Sequence, residues 1–214
     1  DWSSDVCSSD LETLVALILA SSSPFRKELL NKLGLAFSTH SPDVDESRKA
    51  EETPEQLVYR LAQDKAREVA KSHPGLIIAS DQVATLQNGL GVDDQVLGKP
   101  HTHENAVKQL TQCSGNTVTF MTSLCLLNTN SGNIQTIVET YKVTFKSLKP
   151  EQIKSYLKKE QPYNCAGSFK SEGLGISLFS SLEGKDPNTL IGLPLIQLIK
   201  LLENEGIDIL SSAL

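Results

Sequence analysis

Between Leu14 and Ala20 the chain reads L-V-A-L-I-L-A, an apolar run without a charge, and Ser21-Ser22-Ser23-Pro24 follows at once. Such a run is what a strand covered on both faces requires. Serine before proline is a helix start: Ser23 can act as N-cap, and Pro24 fits the first turn, where its missing N–H costs nothing. Phe25, Leu29 and Leu33 then recur every four residues up to Gly34, which predicts an apolar helix face ended by glycine. A buried strand, a serine turn and a helix in direct succession point to an α/β architecture.

The remaining pattern agrees. Thr53-Pro54-Glu55-Gln56 is a capping box with proline at N1, opening a helix whose inward row is Leu57, Leu61, Lys65 and Val69. Leu76 to Ala79 is a second buried strand, ending in Ser80-Asp81-Gln82. Thr117 to Leu127 is a third, joined through the loop Asn128 to Asn133 to a strand from Ile134 to Phe145. In that last strand Tyr141, Val143 and Phe145 alternate with Lys142, Thr144 and Lys146, so one face is buried and the other wet. Helices are expected near Glu151 to Lys158 and from Pro194 to Leu202. The fold class expected from this pattern is mixed α/β, a sheet with helices packed around it.

Charge and composition narrow the function. A net charge of −6 over 214 residues argues against a surface that holds long nucleic acid, which needs a dominant basic field. No apolar run approaches the roughly 20 residues needed to span a bilayer, and no membrane partner is expected. Cys7, Cys113, Cys125 and Cys165 form no C-x-x-C pair, and read as reduced thiols of a cytoplasmic protein. Ser3-Ser4-Asp5 repeats as Ser8-Ser9-Asp10, and Cys7 to Leu11 resembles a translated sequencing adapter. Residues 1–11 are therefore expected to be a non-native extension, with 12–214 a single catalytic domain.

Several residues could carry chemistry. The turn Ser21 to Ser23 leaves N–H groups and a positive dipole end at one place, which either binds phosphate or merely caps the helix. Arg26, one turn in, could add a charge-assisted contact. Asp43, Asp45 and Glu46 place three carboxylates within four residues, either a site for a hard divalent cation or a solvated loop. The D-x-D pattern lacks the strand and threonine that haloacid-dehalogenase phosphatases use. Lys65 on an apolar row either snorkels or faces an anion. Asp81 at a strand end is a candidate general base or a turn residue. Lys99 sits in a Gly-Lys-Pro turn, and Gly167 to Gly173 reads as a flexible loop bearing Glu172. His40, His73, His101 and His103 are read as loop residues rather than metal ligands.

Taken together, LASSSPFR from Leu19, DVDE from Asp43, the Lys65 helix, SDQV from Ser80, GKP from Gly98, GSFKSEGLG from Gly167 and IGLPL from Ile191 resemble the Maf family of nucleoside triphosphate pyrophosphatases. Within that family, Gln82 and the S-E-G loop are similar to the branch acting on 7-methyl-GTP. The branch preferring dTTP and UTP has Arg, Thr and Gln at the positions of Phe25, Gln82 and Glu172.

The resemblance implies an α/β fold whose mixed, strongly bent central sheet and flanking helices surround a deep substrate cleft, and hydrolysis of a small nucleotide to its monophosphate and pyrophosphate with a divalent metal, magnesium or manganese. It implies Asp81 as proton acceptor, Glu46 as metal ligand, and Ser21, Arg26, Lys65 and Lys99 as substrate-binding residues. Phe25, Gln82 and Glu172 would set specificity: Glu172 can accept from guanine N1–H and N2–H together, Gln82 can add an amide contact, and Phe25 can stack on the cationic base. The branch has Trp where this chain has Phe25, a smaller platform, so preference for methylated over plain GTP is expected to be reduced. A homodimer is implied by the family alone. Competing readings are a non-catalytic nucleotide sensor linked to septum formation, a pyrophosphatase of dTTP/UTP preference, and a phosphatase releasing orthophosphate.

Overall fold

The computed structural model describes residues 16–86 and 95–211. The expected foreign extension, Cys7 and the first residues of the apolar run lie outside them. The described part of that run is strand β1 (Leu17–Ala20), buried throughout. It leads through the serines into helix α1 (Pro24–Asn31), where the Ser23 side chain accepts from the Arg26 N–H as an N-cap. The inward face of α1 differs from the expected row. Leu29 and Leu30 are buried, while Phe25 is 36% exposed and turns away from the core. Spacing by four cannot show that the first turn of this helix faces a cleft.

After α1 come strand β2 (Ser38–His40), a long irregular loop and helix α2 (Pro54–Ala70). The capping box forms as expected, with Thr53 and Gln56 exchanging side-chain bonds to each other's backbone. Leu57, Leu61, Lys65 and Val69 are all buried. Gly75, at φ 145°, lets the chain pass Ala16 so closely that a Cβ there would lie 2.2 Å from the Ala16 carbonyl oxygen. That approach admits the bond from the Leu76 N–H to Ala16 O, which starts strand β3 (Leu76–Leu86) beside β1.

β3 is much longer than its apolar run, so Asp81 lies mid-strand and not at a strand end. Unbroken antiparallel pairing with strand β5 (Thr117–Asn128), from Leu76–Asn128 to Leu86–Val118, carries it through Ser80, Asp81 and Gln82. Cross-strand partners supply what the polar residues lack in intrinsic propensity.

The other edge of β3 is paired in two pieces. β1 runs parallel to it at Leu76 to Ile78, and strand β4 (Gln95–Leu97) antiparallel at Ala84 to Leu86. The stretch between them, residues 79–83, is an open edge that carries Asp81 and Gln82. β5 and strand β6 (Ile134–Phe145) form the expected hairpin, and β6 pairs with strand β7 (Phe179–Glu183). The described strands make one mixed sheet in the order β2-β1-β3-β5-β6-β7, with β4 on β3.

Helix α3 (His103–Cys113), with Thr102 as N-cap, was not anticipated, and it corrects His103 from loop to helix, as β2 does for His40. His40 stacks on His73 with ring centroids 3.6 Å apart. Helix α4 (Pro150–Glu160) follows β6. The stretch expected as a flexible glycine-bounded loop holds a 3-10 turn, Ala166–Ser168, and leads into a second, Leu174–Leu178. Helices α5 (Asn188–Ile191) and α6 (Leu195–Asn204) complete the described chain.

Alternation along the strands divides the interior. Ile77 and Ala79 of β3 pack with Ala62, Ala66 and Val69 of α2 on one face. On the other face Leu76, Ile78, Leu124 and Leu126 pack with α1 and α6, and Ala84, Leu86, Val118 and Phe120 pack with α3 and α4. Each buried leucine contributes roughly 1.5–3 kcal/mol. Between these two clusters lies a polar layer of Ser80, Gln82 and Thr122. No helix among the described residues is long and apolar enough to cross a membrane.

Candidate functional site

Where the edge of β3 is open, a cleft of about 800 Å³ cuts into the protein. Ser21, Phe25, Arg26, Glu46, Lys65, Asp81, Gln82, Lys99 and Glu172 all line it, so the residues to which the family resemblance gives roles come together here from separate segments. Asp81 and Gln82 are successive strand residues with side chains on opposite faces, yet both reach the cleft because it wraps around that open edge.

Lys65 is the hub. Its Nζ lies 2.5 Å from Asp81 Oδ1 and 2.7 Å from Glu46 Oε1, so one ammonium ties a strand carboxylate to a loop carboxylate. The interrupting lysine of the α2 row therefore faces inward to anions rather than snorkelling. The hydrogen bond from Lys65 holds Glu46 below the usual carboxylate range; burial opposes this, and the charges of Lys65, Lys99 and Arg26 add to it. Burial lowers the Arg26 guanidinium from its ordinary value, against the attraction of Asp81 and Glu46. Three cations and two carboxylates thus feel one another across one side of the cleft.

The acidic loop is not the three-carboxylate cluster its spacing suggests. Asp45 accepts from the Ser47 N–H, and Asp43 and Asp45 line a separate groove beside Arg60 and Lys71. Glu46 alone of the three lines the cleft. Among the described residues no group of three or more His, Cys, Asp or Glu side chains could hold a metal ion. An extended loop turns successive side chains apart, so adjacency in sequence does not give convergence.

The serine turn caps its helix and still leaves backbone donors open to the cleft. Ser21 Oγ accepts from the Ser23 N–H, and Ser23 Oγ from the Arg26 N–H. These bonds use donors that the sequence reading left free. The N–H groups of Ser22 and Phe25 have no acceptor among the described residues, and both residues line the cleft. They stand at the positive end of α1, where an anion is favoured.

The Gln82 amide is already engaged at one end. Its Nε2 donates to Thr122 Oγ1 at 2.8 Å, Thr189 O at 2.9 Å and Leu190 O at 3.1 Å. The amide nitrogen is committed to the protein, and the oxygen is left as the group with no donor among the described residues. Glu172, which also lines the cleft, is held through its neighbours: Glu160 accepts from the Leu174 N–H at 3.0 Å and lies 3.6 Å from Lys170 Nζ. Sequence reasoning missed Glu160 and the backbone of α5, because neither spacing nor residue type marks a group that acts on another segment. Cys165 also lines the cleft, and burial pushes its thiol up.

A family model described as Maf-like protein matches residues 16–205. The chain belongs to the Maf family. Its relatives include proteins named 7-methyl-GTP pyrophosphatase. That of Alcanivorax borkumensis is 56% identical over 194 residues, 90% of this chain and 95% of the relative. That of Pseudoalteromonas translucida is 56% identical over 92% of this chain and 95% of the relative. The Vibrio cholerae protein is 52% identical over 91% and 97%. Among solved structures, the Staphylococcus aureus Ham1 protein is similar in fold, with a TM-score of 0.50 at 13% identity, covering 89% of this chain and 99% of that one. The Maf assignment agrees with the mixed sheet and with the motif blocks that line the cleft.

Proposed function

We propose that this Maf protein is a nucleoside triphosphate pyrophosphatase that cleaves 7-methyl-GTP to 7-methyl-GMP and pyrophosphate. The observation that carries the reading is the Asp81–Lys65–Glu46 chain of contacts at the centre of a cleft whose rim holds Arg26, Lys99 and the open N–H groups of the serine turn. Relatives bearing that activity in their names, at 52–56% identity over nine-tenths of the chain, support it.

The reaction asks for a nucleophile, neutralisation of phosphate charge and a stabilised leaving group. Asp81 accepts the proton of a water that attacks the α-phosphorus; the bond to the bridging oxygen breaks, and pyrophosphate leaves with the electron pair. Lys65 has three N–H donors, of which two face carboxylates, leaving the third for a phosphate oxygen. Arg26, Lys99, Ser21 and the helix end offset charge that grows on the leaving group. No covalent intermediate is needed.

Glu46 lines the cleft, and its carboxylate joined by phosphate oxygens of the nucleotide would make the all-oxygen donor set that magnesium or manganese prefers. When bound there, the cation would withdraw charge from the phosphoryl oxygens. At the base end, Glu172 accepts from guanine N1–H and N2–H, and Phe25 offers its face to the methylated, cationic ring.

The test is chromatographic identification of products from 7-methyl-GTP, GTP, dTTP and UTP with magnesium or manganese. Monophosphate plus pyrophosphate, fastest from 7-methyl-GTP, is expected. Binding without turnover would instead mark a sensor, and orthophosphate release would overturn the assignment.

A further inference from the structure

The segment from Asp186 to Ile196 reaches the site with its backbone. Thr189 O accepts from Gln82 Nε2 and from Thr122 Oγ1, both at 2.9 Å, and Leu190 O accepts from Gln82 Nε2 at 3.1 Å. Gly192 O, in a residue with φ 126°, accepts from Arg26 Nε at 2.9 Å and Ser80 Oγ at 2.8 Å. These carbonyls belong to a helix of four residues and to the glycine that follows it, a turn too short to hold its own shape. What fixes them lies at the segment's two ends.

Asp186 is 3% exposed. Its Oδ1 accepts from the Asn188 N–H at 2.8 Å and from Asn188 Nδ2 at 2.7 Å, and its Oδ2 accepts from the Ile196 N–H at 2.8 Å. One desolvated carboxylate therefore ties the start of α5 to the first turn of α6. In a low-dielectric setting such bonds are stiff, because every alternative leaves a buried charge unsatisfied.

The consequence falls on Gln82. Turning its amide by 180° would set the oxygen against the Thr189 and Leu190 carbonyls, acceptor against acceptor, so its polarity is determined by the segment. The oxygen is then the side that faces the cleft, as on Glu172. We infer that Asp186 is a positioning residue for base selection: by holding the carbonyls at 189–192 it keeps Gln82 as an acceptor, and the cleft selects bases whose edge donates hydrogen bonds. Guanine and its 7-methyl form have such an edge, while uracil flanks its one N–H with two carbonyls. The inference rests on the nucleotide reading above.

The test is the ratio of affinities for the α,β-methylene analogues of 7-methyl-GTP and UTP, by calorimetry, on the full chain. Both carry the same triphosphate, so any change at Arg26 cancels in the ratio. Asp186→Asn should lower the preference for the guanine analogue by about tenfold, the equivalent of one hydrogen bond. Thr122→Val loosens the same anchor from β5 and should move the ratio in the same direction; it decides alone if Asp186→Asn does not fold. Equal weakening for both analogues with the ratio unchanged would show a merely structural role and overturn the inference. So would a wild-type protein that binds the two analogues alike. A wild-type protein that discriminates between them yet releases no pyrophosphate from the parent nucleotides would sink the proposed activity and leave this inference standing.

Discussion

Lys65 Nζ and Asp81 Oδ1 lie 2.5 Å apart, each held by its own element, the lysine on the buried face of α2 and the aspartate in the middle of β3. Both side chains are largely withdrawn from water, at 8% and 14% exposed. Asp81→Asn keeps the shape and removes the proton acceptor. Turnover should fall by roughly 10²–10⁴-fold while nucleotide affinity stays within a few-fold of wild type. Single-turnover kinetics beside calorimetry would check this, and a parallel loss of binding would count against Asp81 as the base.

Lys65→Met leaves Asp81 partly buried without its cation. A loss of about 3 kcal/mol in stability is expected, since removing one partner strands the other charge. The double variant Lys65→Met/Asp81→Asn should regain part of that loss. Urea unfolding of the two variants measures the difference, and equal stabilities would show that the pair is not coupled.

Glu172 is reached by the cleft but not bonded into the wall except by Ser171 Oγ at 3.3 Å. Glu172→Gln replaces one acceptor oxygen by a donor. The expected effect is a 5- to 150-fold fall in kcat/KM for 7-methyl-GTP, corresponding to about 1–3 kcal/mol for a bidentate base contact, with little change for UTP. Proportional losses on both substrates would remove Glu172 from base reading.

Phe25 is exposed on the cleft wall and packs into none of the three core clusters, so its size can change without refolding. Phe25→Trp should raise the preference for 7-methyl-GTP over GTP by up to about tenfold, because indole is the better cation–π face. Competition between the two nucleotides at limiting enzyme measures it, and an unchanged ratio would place the base elsewhere.

Glu52 ties the loop that carries Glu46 to α2, accepting from Arg60 Nε at 2.6 Å and Nη2 at 2.9 Å and from the Lys49 N–H at 3.0 Å. The bond from Arg60 holds its carboxyl at about 2 against an ordinary 4.5. With the folded value depressed, the stabilisation is complete above the ordinary value and is lost as pH falls from about 4.5 towards 2. The urea midpoint difference between wild type and Glu52→Gln should be constant from neutral pH down to about 5 and shrink below it. A difference that grew on acidification would contradict the pairing.

Local rules read several elements correctly: the Ser23 cap, the Thr53–Gln56 box, the β5–β6 hairpin and the inward row of α2 all follow from neighbours within a turn or a pleat. Lys65 was conspicuous for the same reason, as a charge on a face that had to be buried. The motif blocks named the site residues through their resemblance to a family, not through geometry.

What required the tertiary structure were effects between segments far apart in the chain. The sequence by itself determined which stretches would be buried, where α1, α2 and α4 begin, and which residues carry charge to spend on a phosphate. It could not extend β3 through Asp81, because that strand is held by pairing with β5 some forty residues away. It could not separate Glu46 from Asp43 and Asp45, because side-chain direction in an irregular loop depends on what the loop packs against. Nor could it say which end of the Gln82 amide is free, since that polarity is imposed by carbonyls of residues 189 and 190, groups that every residue type possesses and no sequence pattern marks.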